Sequence, residues 1–186
     1  MKQNGMYYIT EEYKELVRSL GGEWNDQKKR PVVCLVPSTE NDKMYWAIPV
    51  GKVNHRDQKE MERIKRFMSY KSRDLRSCYY HIGRTTNRSI FFMTDAVPIT
   101  DKYILEEHLG ADKKLYIIKN PMLLQELSYK LNRILAFENK KENYFRQHIT
   151  DIKNYLLDEL KAENVEESEE IKNNDPKETT EQPQEQ

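Results

Sequence analysis

The pattern of apolar residues divides the chain into a strand-rich first part and a helical last part. Runs rich in β-branched and aromatic residues, which favour strands, lie at 6–9, 32–36, 45–50, 78–82, 89–93 and 114–118. Turn-forming residues at 41–42 and 83–88 predict that the second and third runs, and the fourth and fifth, form hairpins. Residues 94–99 are predicted to be a short extended exit, in which Pro98 stops further pairing.

Apolar residues at helical spacing predict five helices. The segments are 10–20, 57–68, 100–108, a stretch from 121 to about 139, and 145–161. Thr10 and Thr100 can cap the first and third of these, because a threonine hydroxyl accepts a bond from a first-turn amide. Pro121 is a good first helical residue, since its missing N–H would have no partner there.

These elements predict an α+β fold with a single domain over residues 1–161 that ends in a pair of helices. From 162 to 186 the chain has nine acidic residues, two basic ones and almost no apolar ones. Such a segment cannot bury enough apolar surface to order itself. We therefore expect a disordered acidic tail from residue 162.

The net charge of zero conceals a strong asymmetry. The predicted tail carries a net charge of −7, so residues 1–161 carry +7. Between Lys52 and Arg88 there are eleven lysines and arginines against four acidic residues. A positive field focused in this way attracts polyanions, of which RNA is the commonest in the cytoplasm.

Other observations narrow the functional class. No window is long and apolar enough for a membrane span, and the N-terminal residues lack the apolar core of a signal peptide. Cys34 and Cys78 lie in apolar runs without the spacing of a zinc site, which predicts buried thiols in a cytoplasmic protein. No phosphate-binding loop, HExxH, GxSxG or carboxylate cluster is present, so neither a metal nor a cofactor is expected.

The stretch KMYWAIPVGKVNHR, residues 43–56, has the clearest potential for a functional site. It predicts a strand that ends in a turn at Gly51, where a flexible backbone would let a ligand approach, and then presents Lys52. Asn54, His55 and Arg56 follow in the loop, ahead of the basic helix. A solvated surface role is the alternative for each of these polar residues.

Two further residues are candidates on weaker grounds. His81 lies in a predicted strand, where a core position and a site position are equally compatible with the alternation. Tyr13 lies on the apolar stripe of the first helix, so that a core role is its alternative. A nuclease with only such groups could use the 2′-hydroxyl of RNA, which attacks the adjacent phosphate when a base, an acid and a cation assist.

Several short motifs occur in the order typical of one toxin family. They are YYITEEY at 7–13, RP at 30–31, YWAIP with a polar loop and a cation at 45–52, CxxHI at 78–82 and SIFFMTDAVPIT at 89–100. Over about residues 6–105, this order resembles the toxins of type III toxin–antitoxin systems. The most similar branch is the CptN-like one, within the wider ToxN/AbiQ group.

The resemblance implies a strongly curved, mainly antiparallel sheet, similar to the barrel core of the MazF/Kid toxins, with helices around it. It also implies metal-independent endoribonuclease activity, and inhibition by a small repetitive RNA that the toxin itself processes. Tyr13, Lys52 and Arg30 lie at matching positions of the motifs. The family usually has serine or threonine where Val50-Gly51 stand here, so a hydroxyl would have to come from elsewhere, with Thr85, Thr86 and Thr94 as possible substitutes.

We therefore predict a cytoplasmic endoribonuclease toxin with a role in phage defence, whose partners are an RNA antitoxin and cellular RNA. The catalytic candidates are Lys52, Tyr13 and His81. The candidates for RNA binding are Arg30, Asn54, His55, Arg56, Arg63, Arg66 and Arg84. Two alternatives are a non-catalytic RNA-binding module on the same basic face and a helical interaction protein that docks a partner through residues 121–161.

Overall fold

The computed structural model describes residues 1–24 and 32–173, without the side chains of 32–35 and 166–173. The seven strands of these residues are β1 Met6–Ile9, β2 Val32–Pro37, β3 Met44–Lys52, β4 Tyr80–Arg84, β5 Arg88–Phe92, β6 Val97–Thr100 and β7 Ile104–Glu107. The four α-helices are α1 Glu11–Ser19, α2 Gln58–Met68, α3 Pro121–Glu138 and α4 Ile149–Asn173. None of these helices is long and apolar enough to cross a membrane.

Strand β3 organises the sheet because it has three neighbours. It pairs with β2 along one edge, while its other edge pairs with β6 over 44–47 and with β5 over 50–52. Pro49 falls between these two stretches, so the residue without an N–H donor lies where the strand changes neighbours. The resulting antiparallel sheet has the order β4-β5-β3-β2-β1-β7, with β6 beside β3.

The sheet curls strongly into a half-barrel, with four helices around it, two of them C-terminal. The predicted α+β fold class is therefore confirmed. Both predicted hairpins are also present, as β2–β3 and β4–β5.

Alternate residues of the strands enter two separate cores, one on each face of the sheet. Trp46 and Ile48 belong to the core that contains Leu127 of α3. Ala47, between them, belongs to the core that contains Ile152 of α4. The alternation of strand side chains thus gives each C-terminal helix its own face to cover.

Tyr13 anchors α1 in the second core. Thr10 caps this helix as predicted, with its hydroxyl accepting a bond from the amide of Tyr13. The Tyr13 side chain is fully buried, and its hydroxyl donates a hydrogen bond to the carbonyl oxygen of Pro98. The bond joins α1 to β6 and satisfies a buried acceptor.

The region after β5 differs from the sequence prediction. Pro98 does not stop pairing, because β6 runs through it and pairs with β3. The helix predicted over 100–108 is wrong as well: a short turn at 101–103 leads into β7, which pairs with β1. The unpaired edge of β1 offers this segment backbone hydrogen bonds, and such tertiary pairing overrides a local helical pattern.

Two other boundaries also differ from the prediction. Residues 114–118 form isolated bridges, Leu109 with Leu115 and Gly5 with Ile117, rather than a strand. Helix α4 continues to Asn173, beyond the predicted end of the last helix at residue 161. The last buried residue of this helix among those described is Leu160, which agrees with the predicted end of the apolar stripe.

Replacing Tyr13 with phenylalanine tests its anchoring role. Tyr13→Phe leaves the carbonyl of Pro98 buried without its donor, which should lower the free energy of unfolding by about 1–3 kcal/mol. Urea unfolding measures the change, with Tyr129→Phe on the exposed surface of α3 as the control. Equal stability of Tyr13→Phe and the unchanged protein would show that the bond contributes nothing.

Candidate active site

The site begins where β3 ends, at Lys52. The turn predicted at Gly51 is absent, since β3 continues through this residue, with Gly51 opposite Ile90 and Lys52 opposite Ser89 of β5. The chain leaves the sheet only in the short turn Val53–His55. Lys52 is exposed and is carried on the strand itself.

Gly51 makes room for an arginine rather than for a turn. A Cβ atom at Gly51 would lie 2.8 Å from Nη2 of Arg56 and 3.0 Å from the ring of Phe92. The guanidinium of Arg56 occupies this space, 5.0 Å from the centroid of the Phe92 ring, and its Nη1 lies 3.3 Å from the Glu60 carboxylate. Only glycine at position 51 allows this close approach.

The side chains of Arg56 and Lys52 therefore lie on opposite faces of the sheet. Successive residues of a strand point to opposite faces, and Arg56 packs against the face of Gly51. Arg56, a candidate for RNA binding, therefore lies on the face away from Lys52.

Two hydroxyl groups accompany Lys52 on its face. Ser89 is its direct partner in β5, and direct partners in an antiparallel pair project side chains to the same face. The hydroxyl of Ser89 lies 2.8 Å from Oγ1 of Thr85 and donates to the carbonyl of Asn87. Of the three threonines considered as a source of a hydroxyl, Thr85 is thus the one linked to the partner of Lys52.

His108 is the titratable group most closely coupled to Lys52. Burial lowers the pKa of His108 below its usual 6.5, and the positive charge of Lys52 lowers it further. Nδ1 of His108 lies 3.1 Å from the hydroxyl oxygen of Tyr8, and the two rings meet edge to face. A histidine with a lowered pKa is neutral near pH 7 and can accept a proton.

The backbone holds His108 in a fixed position. Its N–H donates to the carbonyl of Met6 in β1, and its carbonyl accepts from the amide of Tyr116. The ring of Tyr116 also meets the imidazole edge to face, with centroids 6.3 Å apart. Tyr8 and Tyr116 thus bracket the imidazole.

A pair of arginines lies one step along the hairpin from Ser89. Arg84 and Arg88 are exposed and directly opposite each other at the end of β4–β5. Like charges in directly opposed positions are destabilising. A bound anion would relieve this repulsion, which makes the tip of the hairpin suited to a phosphate.

The remaining candidates are dispersed. Asn54 and His55 are exposed in the turn after β3, and Arg63 and Arg66 are exposed on α2. Arg30 lies outside the described residues.

His81 lies on the same face of the sheet as Lys52, because it pairs with Phe91, which pairs with Val50, whereas Tyr13 lies in the second core. His81 is half-buried in β4, where burial and the charge of Lys130 on α3 lower its pKa. Tyr13 is enclosed in the second core, and burial raises its pKa well above 10. A fully buried hydroxyl that already donates to Pro98 does not contact a ligand, so the catalytic role predicted for Tyr13 is replaced by a structural one.

Sequence reasoning missed Tyr8, Ser89, Arg88 and His108. Register could have indicated Ser89, because it faces Lys52 once the two strands are paired. His108 could not be found in this way, because the sequence pattern predicts a helix over 100–108 that the chain does not form. The strand β7, which places His108 beside Tyr8, was the missing step.

Comparison with models of known protein families and with curated proteins found no match. Within the described part of the chain, no three histidine, cysteine, aspartate or glutamate side chains are grouped so that they could hold a metal ion. The groups of the site that can take part in chemistry are the side chains described above.

The electrostatic influence of Lys52 on His108 can be tested without any substrate. Replacing Lys52 with alanine removes a positive charge that disfavours protonation of the imidazole, so the pKa of His108 should rise. NMR titration of the four histidines measures this change, and Lys59→Ala, an exposed lysine of α2, is the control. An unchanged pKa of His108 in Lys52→Ala would separate the two residues.

Proposed function

We propose that this protein is an endoribonuclease that cleaves single-stranded RNA through attack of the 2′-hydroxyl on the adjacent phosphate. The observation that carries this proposal is that Tyr8, which contacts His108, lies on the same face of the sheet as Lys52, because Tyr8 and Val50 both pair with Val32. A cation, a neutral imidazole and a hydroxyl that bonds this imidazole are the groups that such a reaction uses.

His108 is the general base of the proposed reaction. When Nδ1–H donates to the Tyr8 oxygen, Nε2 keeps the lone pair that accepts the proton of the 2′-hydroxyl. The 2′-oxygen then forms a bond to phosphorus, and the bond from phosphorus to the 5′-oxygen breaks. Water protonates the leaving oxygen, and the products are a 2′,3′-cyclic phosphate and a 5′-hydroxyl.

Lys52 supplies charge where the reaction develops it. The pentacoordinate phosphate carries more negative charge on its oxygens than the ground state, and a cation fixed at the end of a strand stabilises that increase. Its ammonium also keeps His108 neutral, as the lowered pKa indicates. Arg84 and Arg88, at the exposed tip of the β4–β5 hairpin, bind a phosphate farther along the RNA. The buried hydroxyl of Ser89, bonded to Thr85, supports the strand segment that faces Lys52.

The wider role that we propose is that of a type III toxin, held inactive by a repetitive RNA that it processes. The resemblance in motif order and the net charge of +7 over residues 1–161 support this proposal. A non-catalytic RNA-binding module would use the same basic groups, so the experiments below separate binding from cleavage.

Variants of the site should lose cleavage while keeping RNA binding. Lys52→Ala should lower the cleavage rate about 10²–10³-fold, and His108→Asn about 10²–10⁴-fold. Tyr8→Phe should cause a smaller loss, since it removes only the group that orients the imidazole. Binding should weaken little, because each variant removes at most one of several phosphate contacts.

Single-turnover cleavage of a labelled RNA, with filter binding in parallel, measures both quantities. The matched control is Lys59→Ala, which removes an exposed lysine outside the cluster. Cleavage and binding that decline together would assign Lys52 to binding alone. RNA binding by the unchanged protein without any cleavage would favour the non-catalytic module.

The proposed chemistry also predicts which substrates are cut. An RNA with 2′-deoxyribose at the scissile position should bind but stay intact, because the attacking oxygen is missing. Cleavage of the ordinary RNA should continue in EDTA and leave a 2′,3′-cyclic phosphate, which mass spectrometry of the fragments identifies. Loss of cleavage in EDTA with recovery on addition of Mg²⁺ would contradict the mechanism.

A further inference from the structure

A groove of about 470 Å³ lies against the face of the sheet on which Arg56 packs. Pro49 and Val50 of β3 line it together with Phe92 of β5, and residues of α2 and of the loop before α4 complete its walls. This volume falls in the range of roughly 300–1,000 Å³ that is typical of small-molecule pockets. Strand β3 therefore contributes to two sites. Pro49 and Val50 line the groove, and Lys52, two residues after Val50, belongs to the candidate active site.

Flat π-systems dominate the walls. The guanidinium of Arg56 lies over the Phe92 ring, and the Tyr80 ring meets Phe92 edge to face with centroids 5.9 Å apart. Trp24 and Tyr144 also line the groove, and Tyr144 is 45 % exposed. Surfaces of this kind stack flat heterocycles.

Two buried polar atoms in the groove have no hydrogen-bond partner among the described residues. They are Nε of Arg56, which is a donor, and Oε1 of Gln147, which is an acceptor. Gln147 is only 2 % exposed, so its side chain cannot rely on bulk solvent. Buried polar groups in folded proteins are normally paired, and a ligand that presents both an acceptor and a donor would pair these two once the Arg56 and Gln147 side chains turn toward it.

The charges of the groove balance. Three arginines face three carboxylates: Arg56, Arg63 and Arg146 against Glu23, Glu60 and Asp95. Arg56 is paired with Glu60, and Nη2 of Arg146 lies 2.7 Å from the Asp95 carboxylate. A balanced lining favours an uncharged ligand over a phosphate, in contrast to the basic tip of the β4–β5 hairpin.

We propose that this groove receives an unstacked nucleobase of single-stranded RNA. A base is flat, uncharged and carries both donors and acceptors on its edge, which matches the aromatic walls, the balanced charge and the two unpartnered atoms. The identity of the ligand as RNA rests on the proposed function. The groove would then hold a base on one face of the sheet while Lys52 acts on the backbone from the other.

The test compares an oligonucleotide with abasic versions of itself, because an abasic position keeps the phosphates and removes one base. The probe is a 2′-O-methyl RNA, which cannot undergo 2′-attack, and fluorescence anisotropy measures its binding. Scanning one abasic position along the strand should reveal a site at which affinity falls about tenfold, within the range reported for one stacked base. Tyr144→Ala and Arg56→Gln should reduce that difference to less than about threefold.

Two matched variants serve as controls. Tyr129→Ala removes another exposed tyrosine, and Arg76→Gln removes an arginine that lies over a different ring, that of Tyr70. Both should keep the full abasic effect. Thermal unfolding verifies that each variant is folded.

The outcomes separate this inference from the proposed function. If Tyr144→Ala and Arg56→Gln keep the full abasic effect, the groove does not hold a base, whatever Lys52 does. A groove that takes a peptide would give the same result. If the two variants lose the effect but the unchanged protein cuts no RNA, the inference holds and the proposed nuclease activity fails.

Discussion

The change of neighbours along β3 is the constraint on which the structure depends. One edge of this strand pairs with β2 throughout, whereas the other pairs first with β6 and then with β5. Two strands can share one edge of β3 because the sheet curls into a half-barrel. Pro49 lies at the junction between them, where its missing N–H leaves no donor unpaired.

Because Gly51 has no side chain, the end of β3 can contribute to two sites, the groove that contains Arg56 and the candidate active site that contains Lys52. Arg56 packs into the space above this glycine and lies against Phe92 in the groove. Lys52 therefore lies on the other face of the sheet, apart from Arg56. On that face Lys52 is paired with Ser89 of β5, and, together with burial, its charge lowers the pKa of His108. The groove can bind a neutral ring because its charges balance, whereas Lys52 offers a cation to a charged backbone.

The sequence predicted the fold better than the site. The apolar runs of β2 and β3, the Thr10 cap and the stripe of α3 are local signals, and each agrees with the structure. The site depends on pairing between distant segments, which local patterns do not encode. His108 is the clearest case: its segment has helical spacing, yet the free edge of β1 draws it into β7 and next to Tyr8. Gly51 shows the same limit, because its role depends on where the Arg56 side chain packs and not on a turn.

The central claim is that His108, tuned by Lys52 and oriented by Tyr8, is the base in RNA cleavage. The pH dependence of the single-turnover cleavage rate tests it most directly, compared with the pKa of His108 measured by NMR in the same protein. Tyr8 and Tyr116 contact this imidazole, and its burial and the charge of Lys52 lower its pKa. The rate should rise with an apparent pKa equal to that of His108, below 6.5, and then stay level. A rate that does not change as His108 titrates, or the absence of cleavage at every pH, would contradict the account.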